Sequence, residues 1–109
     1  MIKGGNTMLE LRPNCEMCDK DLPPDATEAR ICTYECTFCA DCVDQVLHNV
    51  CPNCAGGFVP RPIRPATDRR KGVSRAHQLP STERRHLKYS LDDIAALSAA
   101  TRDIAPEDR

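Results

Sequence analysis

Hydrophobic positions fall into a few short regular runs, each bounded by polar or turn-forming residues. Leu9 and Leu11 alternate with Glu10 and Arg12, the period of a short strand that Pro13 and Asn14 end. Ala29 to Tyr34 is partly β-branched and reads as a strand, with Thr37-Phe38 as its hairpin partner. Val43, Val46, Leu47 and Val50 fall at the spacing of one buried stripe, which predicts a helix from Ala40 to Val50. Asp41 and Asp44 suit its first turn, where the helix dipole favours negative charge, and Pro52 stops it. Phe58-Val59 predicts a last strand. Pro23-Pro24-Asp25 marks a turn in the loop between Cys18 and Cys32, with Leu22 tucked inward.

Beyond Phe58-Val59 the prolines at 60, 62 and 65 favour an extended path, and Pro65 is taken as the end of the domain. Residues 66–88 are highly charged and poor in apolar residues, the composition of a flexible basic arm. Residues 89–109 form a tail in which Ser90-Leu-Asp-Asp93 resembles a capping box. Leu91, Ile94, Ala95 and Leu97 then stripe a short helix over about 91–100, left open between docking on a partner and folding back on the head. Residues 1–7 are polar and Gly-rich, a disordered lead-in to a domain spanning 8–65.

Such a domain has too few large apolar residues, and no Trp, to be held by burial alone. All eight cysteines lie between Cys15 and Cys54. The N-terminal residues carry no apolar run of signal-peptide length, which leads to the expectation of a cytoplasmic protein whose thiols stay reduced. Paired cysteines in that setting point to metal rather than disulfides. Charge is divided unevenly. Residues 8–65 hold five Lys/Arg and nine Asp/Glu, whereas 61–88 hold nine Lys/Arg against Asp68 and Glu83.

Zinc takes four Cys or His ligands tetrahedrally, so eight cysteines close two sites with none left over. Two groupings are open. The sequential one joins Cys15, Cys18, Cys32 and Cys36, then Cys39, Cys42, Cys51 and Cys54. The interleaved one joins Cys15, Cys18, Cys39 and Cys42, then Cys32, Cys36, Cys51 and Cys54. Cys39 and Cys42 open the predicted helix, where thiolates are stabilised. Pairing that helix start with the Cys15/Cys18 knuckle favours the interleaved set. His48 is an alternative ligand near the helix end, while His77 and His86 show no ligand spacing. No Ser/His/Asp set, paired-carboxylate motif or Gly-rich phosphate loop appears, and no catalytic residue is assigned.

The array, Cys-x2-Cys-x13-Cys-x3-Cys-x2-Cys-x2-Cys-x8-Cys-x2-Cys, resembles a RING finger or its all-cysteine relatives, with Cys36 where His is usual and Cys51-Pro52-Asn-Cys54 as the close. The resemblance implies a small metal-stabilised α+β domain, a treble-clef-like cross-brace with a short β-hairpin, one helix and two structural zinc ions. The run from Met8 to Cys15 and the exit to Pro65 resemble a bacterial family of cysteine-rich proteins, domain of unknown function 1272. That family implies zinc binding and no activity. RING ligases recruit a conjugating enzyme through an aliphatic knuckle residue, a helix-region Trp and a basic residue after the last ligand. Here those features give way to Met17, no Trp and Ala55, so ligase-type enzyme activity is not expected. The leading expectation is a non-catalytic interaction or adaptor module with a protein partner, read at Met17, Leu22 and Pro52. The alternative is a nucleic-acid-binding or regulatory protein whose arm, Arg61 to Lys88, tracks phosphates. Neither a membrane nor a small-molecule substrate is expected.

Overall fold

The computed structural model describes residues 8–109; the lead-in, residues 1–7, lies outside the described residues. A three-stranded antiparallel sheet, ordered β2-β1-β3, carries one helix and the knuckle loops. Strands β1 (Ala29–Ile31) and β2 (Thr37–Cys39) pair with Ile31 opposite Thr37, as their β-branched content predicts. The hairpin closes through Cys32 N donating to Cys36 O (3.2 Å), and Glu35 holds the left-handed position of the turn (φ 67°). β3 (Val59–Pro60) lies on the other side of β1, opposite Ile31 and Arg30. Proline fits there because β3 is an edge strand.

The helix begins on cue at Ala40 but is not α-helical throughout. α1, Ala40–Cys42, widens into a π-helical turn, Val43–Leu47, and His48 and Asn49 then turn left-handed. Val43, Leu47 and Val50 are buried as the stripe predicts, whereas Val46 is 48% exposed. The i→i+5 bonding of a π turn packs more residues into each revolution, so the third residue along lags behind the buried face and the fourth falls onto it.

Leu9 to Arg12 forms no strand. Its carbonyls are met instead by three later groups: Arg64 Nη2 on Leu9 (2.7 Å), Ser81 N on Leu11 (3.0 Å) and Arg61 Nη1 on Arg12 (2.8 Å). Arg61, only 4% exposed, also donates to Leu22 O and Pro23 O. Burial lowers its pKa, and three carbonyls around the entry of the chain hold it in place of a carboxylate.

The main departure from the sequence reading concerns residues 66–88. They do not form a free spacer but run back over the domain. Arg84 forks onto Asp19 and Asp21, Asn14 bonds both backbone groups of Arg85, and Leu87 packs against the core. Composition alone predicts disorder because it counts only the arm's own apolar residues. The acidic domain beside it supplies the partners, which is the uneven charge distribution acting within one molecule. The tail helix α2, Leu91–Thr101, is capped by the Ser90 side chain accepting from Asp93 N, as expected. It folds back: Ile94 joins the core, and Ser98 Oγ donates to Leu47 O (2.9 Å) at the end of the π turn. Its buried face is Ile94, Ser98 and Thr101, so the expected stripe holds only at Ile94; Leu91 is 65% exposed.

The core is Phe38, Leu22 and Leu47 among the cysteines, with Phe58 edge-on to Phe38 at 5.4 Å. Substitution should separate two adjacent residues. Leu47→Ala is expected to cost about 2–5 kcal/mol, and Val46→Ala less than about 0.5 kcal/mol, read from chemical denaturation midpoints.

Candidate metal centre

Two knuckles of the same backbone design bracket the domain. In the first, Asp19 N donates to Cys15 O (2.9 Å) and Cys15 N to Lys20 O (2.9 Å). In the second, Ala55 N donates to Cys51 O (2.7 Å) and Cys51 N to Gly56 O (2.9 Å). Each turn places the residue after its second cysteine in the left-handed region, Asp19 at φ 64° and Ala55 at φ 68°. A tight turn of this kind points two sulfurs one way with backbone N–H groups beside them. Gly56 N, for instance, lies 3.4 Å from Cys54 Sγ.

The other two cysteine pairs stand on the sheet and helix. Cys39 ends β2 and caps α1, with Cys42 one turn on. Cys32 and Cys36 flank the hairpin turn, where Tyr34 N approaches Cys32 Sγ at 3.3 Å.

Folding brings these pairs together in the interleaved pattern. The sulfurs of Cys15, Cys18, Cys39 and Cys42 all lie within 4.8 Å of one another, and so do those of Cys32, Cys36 and Cys51. Cys18 Sγ and Cys39 Sγ are 3.8 Å apart. A tetrahedron with metal–sulfur distances near 2.3 Å has edges of about 3.8 Å, so the first set has the spacing of a four-thiolate centre. Cys54 shares its knuckle with Cys51 but is not drawn within that distance of all three partners in the second set. His48 is exposed, left-handed (φ 50°) and in neither set.

Ionisation of the thiols shows what each set lacks without a cation. Burial pushes Cys42 well up, with the thiols of Cys39 and Cys15 adding to it. Burial also raises Cys15, against the lowering pull of nearby backbone N–H groups. In the second set, hydrogen bonds from Cys36 and Cys51 bring Cys32 down to about 3, while the same contacts drive Cys51 far up. A cation placed among four such sulfurs would favour their thiolate forms.

Two polar side chains that sequence reasoning missed tie the knuckles together. Glu16, 3% exposed, accepts from Thr37 N (3.3 Å), Arg12 Nη1 (3.3 Å) and Asn53 Nδ2 (3.1 Å). Asn53 Nδ2 also lies 3.4 Å from Cys36 Sγ. Glu16 is thus a strut from the first knuckle to β2 and the second knuckle. Its only sequence signal is its place between two cysteines, which a solvated carboxylate would share. The positions expected to face a partner fare differently. Met17 is half-buried against the core, while Leu22 and Pro52 are buried, because each knuckle loop folds over onto the protein instead of projecting. A cleft of about 410 Å³ opens over Cys36 and Cys54, edged by Arg12, Glu16, Arg85, Lys88 and Tyr34.

Residue 55 offers a stability test. A non-glycine residue in the left-handed region costs roughly 1–2 kcal/mol. Ala55→Gly is therefore expected to raise the thermal midpoint of the metal-loaded protein by a gain of about 0.5–1 kcal/mol after the entropic cost of glycine. Asp19→Gly should gain less, because Asp19 also bonds Arg84 and Asn14.

A comparison with family models matches residues 8–64 to "Protein of unknown function (DUF1272)". The chain belongs to that family. An uncharacterized protein of Rhizobium meliloti (strain 1021) is 63% identical over 60 residues, covering 55% of this chain and 71% of the relative. No solved structure matches the chain.

Proposed function

We propose that this member of the family is a zinc-holding, non-catalytic protein-interaction module that works where thiols stay reduced. The observation that carries the reading is the convergence of cysteines alone, in two interleaved sets, with the 3.8 Å sulfur spacing of a tetrahedral centre. Soft thiolates in fours suit zinc or iron–sulfur chemistry, and sulfurs within 4.8 Å of one another suit a single ion. Cys15, Cys18, Cys39 and Cys42 would hold one ion. Cys32, Cys36 and Cys51 would hold the other, with Cys54 completing it. The ions would supply folding energy and fixed knuckles. Four protein thiolates leave no open position for substrate, which argues against catalysis at the metal.

The polar struts support the same role. Glu16 and Asn53 fix the knuckles relative to each other, and Arg61 fixes the chain's entry, so the surface is rigid without a large core. Among the described residues no helix is long and apolar enough to cross a membrane. The nucleic-acid reading loses ground because Arg61, Arg64, Arg84 and Arg85 are spent on contacts within the chain. Arg69, Arg70 and Lys71 remain exposed.

Native mass spectrometry is expected to find two zinc ions per chain, without the visible absorption of iron. One ion, or intact disulfides, would defeat the reading. Binding energies of roughly 10–16 kcal/mol for structural zinc lead to an apo form that is largely unfolded, so a chelator should abolish near-ultraviolet circular dichroism. Cys18→Ser should expose Cys39 and Cys42 to alkylation while Cys51 stays protected. For the partner, capture from native lysate must depend on the zinc-loaded fold, and loss of capture on chelation is the expected outcome.

A further inference from the structure

Asn14 is fully buried, and its side-chain amide is not used mainly by the domain it sits in. Its Nδ2 donates to Arg85 O (2.7 Å) and its Oδ1 accepts from Arg85 N (3.1 Å), so it grips both backbone groups of a residue 71 positions away. The same amide nitrogen also reaches Cys15 O and Asp19 Oδ1. Arg85 is gripped by its main chain, which any residue but proline could offer. Specificity comes from its neighbours. Arg84 donates through Nε and Nη2 to Asp19 Oδ1 (3.1 and 2.9 Å), through Nη1 to Asp21 Oδ1 (2.8 Å) and through Nη2 to Asp19 O (2.6 Å). Leu87 packs against the core cluster, and Ser81 N bonds Leu11 O.

Residues 81–87 are neither helix nor strand, so the domain supplies the backbone partners that they lack among themselves. A main-chain grip flanked by side-chain anchors is how proteins read short peptides. The receptor residues Leu11, Asn14, Asp19 and Asp21 lie inside the family match of residues 8–64, and the bound segment lies outside it. A buried amide left without its partner costs roughly 1–3 kcal/mol, and in this chain Asn14 Oδ1 finds its partner in Arg85 N, outside the matched residues 8–64.

We propose that this socket, made by Asn14, Asp19 and Asp21, is a binding site for an irregular Arg-x-x-Leu segment of a partner protein, its second residue any but proline, and that Arg84-Arg85-His86-Leu87 occupies it as a tethered competitor. The proposal rests on the interaction-module reading and names its partner chemistry. The first Arg bridges the two carboxylates, the second residue is held by its backbone, and the Leu two places on enters the apolar edge. A partner segment is favoured over a second copy. The chain's own segment reaches the socket through an ordered connection, in which Arg75 N bonds Pro65 O and Arg64 holds Gln78 O (2.8 Å). Tethering gives that segment an effective concentration on the order of millimolar, so a partner must compete with it or bind when it lifts.

The test uses the full chain loaded with zinc. A fluorescent peptide of residues 79–90 is titrated against wild type, against the Arg84→Glu/Leu87→Ala double variant and against Arg84→Glu alone, each checked for two ions by native mass spectrometry. The vacated variants are expected to bind the peptide at least about tenfold more tightly than wild type. Binding should fall about tenfold when the peptide carries Arg84→Ala or the chain adds Asp19→Asn/Asp21→Asn, and it should weaken with added salt. Equal binding to all chains, no binding to the metal-loaded vacated chains, or insensitivity to the two aspartates would overturn the socket. A concentration-dependent dimer of wild type exchanging this segment would overturn the partner assignment. If the zinc-dependent capture from lysate persists while the peptide fails, the interaction module stands and the socket alone is withdrawn.

Discussion

The gathering of cysteine sulfurs into two interleaved sets, each able to hold a cation, is the constraint around which the rest of this structure is arranged. Sulfurs this close shift one another: hydrogen bonds among Cys32, Cys36 and Cys51 lower Cys32 and raise Cys51. Around them stand the small sheet, about two turns of helix and two matched knuckles. The apolar cluster around Phe38 and Leu22 lines the sulfur sets.

Polar groups take over tasks that packing performs elsewhere. Glu16, Asn14 and Arg61 are each buried and each bonded several times. Their partners are mostly backbone atoms of segments far apart in the chain, so they act as cross-ties. Such ties are demanding: a buried group with one missing partner is worse than none. The domain and its C-terminal extension are joined in this way, with polar fits at Asn14 and Arg84 and apolar ones at Leu87 and Ile94.

What could be read in the sequence follows from which signals are local. The hairpin, the helix start and the Ser90 cap are set by neighbouring residues and fall where the pattern does, though the first strand ends early, at Ile31, and the edge strand lies one residue on, at Val59–Pro60. The interleaved grouping was legible because Cys39 and Cys42 open a helix that must face the first knuckle. Val46 was misplaced because a π turn leaves no mark on a stripe of valines and leucines. The arm was misjudged for a different reason: its order comes from charges and an amide some sixty or seventy residues away, which a composition window does not see. Leu9 to Arg12 failed as a strand because Arg64, Ser81 and Arg61 claim its carbonyls before another strand can.

Interleaving also sets an order of assembly. Were the sets sequential, the first could close as soon as Cys36 had emerged from the ribosome. Joining Cys15 and Cys18 to Cys39 and Cys42 delays closure until the helix start is out, and by then the loop between the pairs already contains Cys32 and Cys36. The second set waits for Cys51 and the second knuckle. The first set can close once Cys42 is out, and it closes around Cys32 and Cys36, which must wait unclaimed inside that loop for the second knuckle.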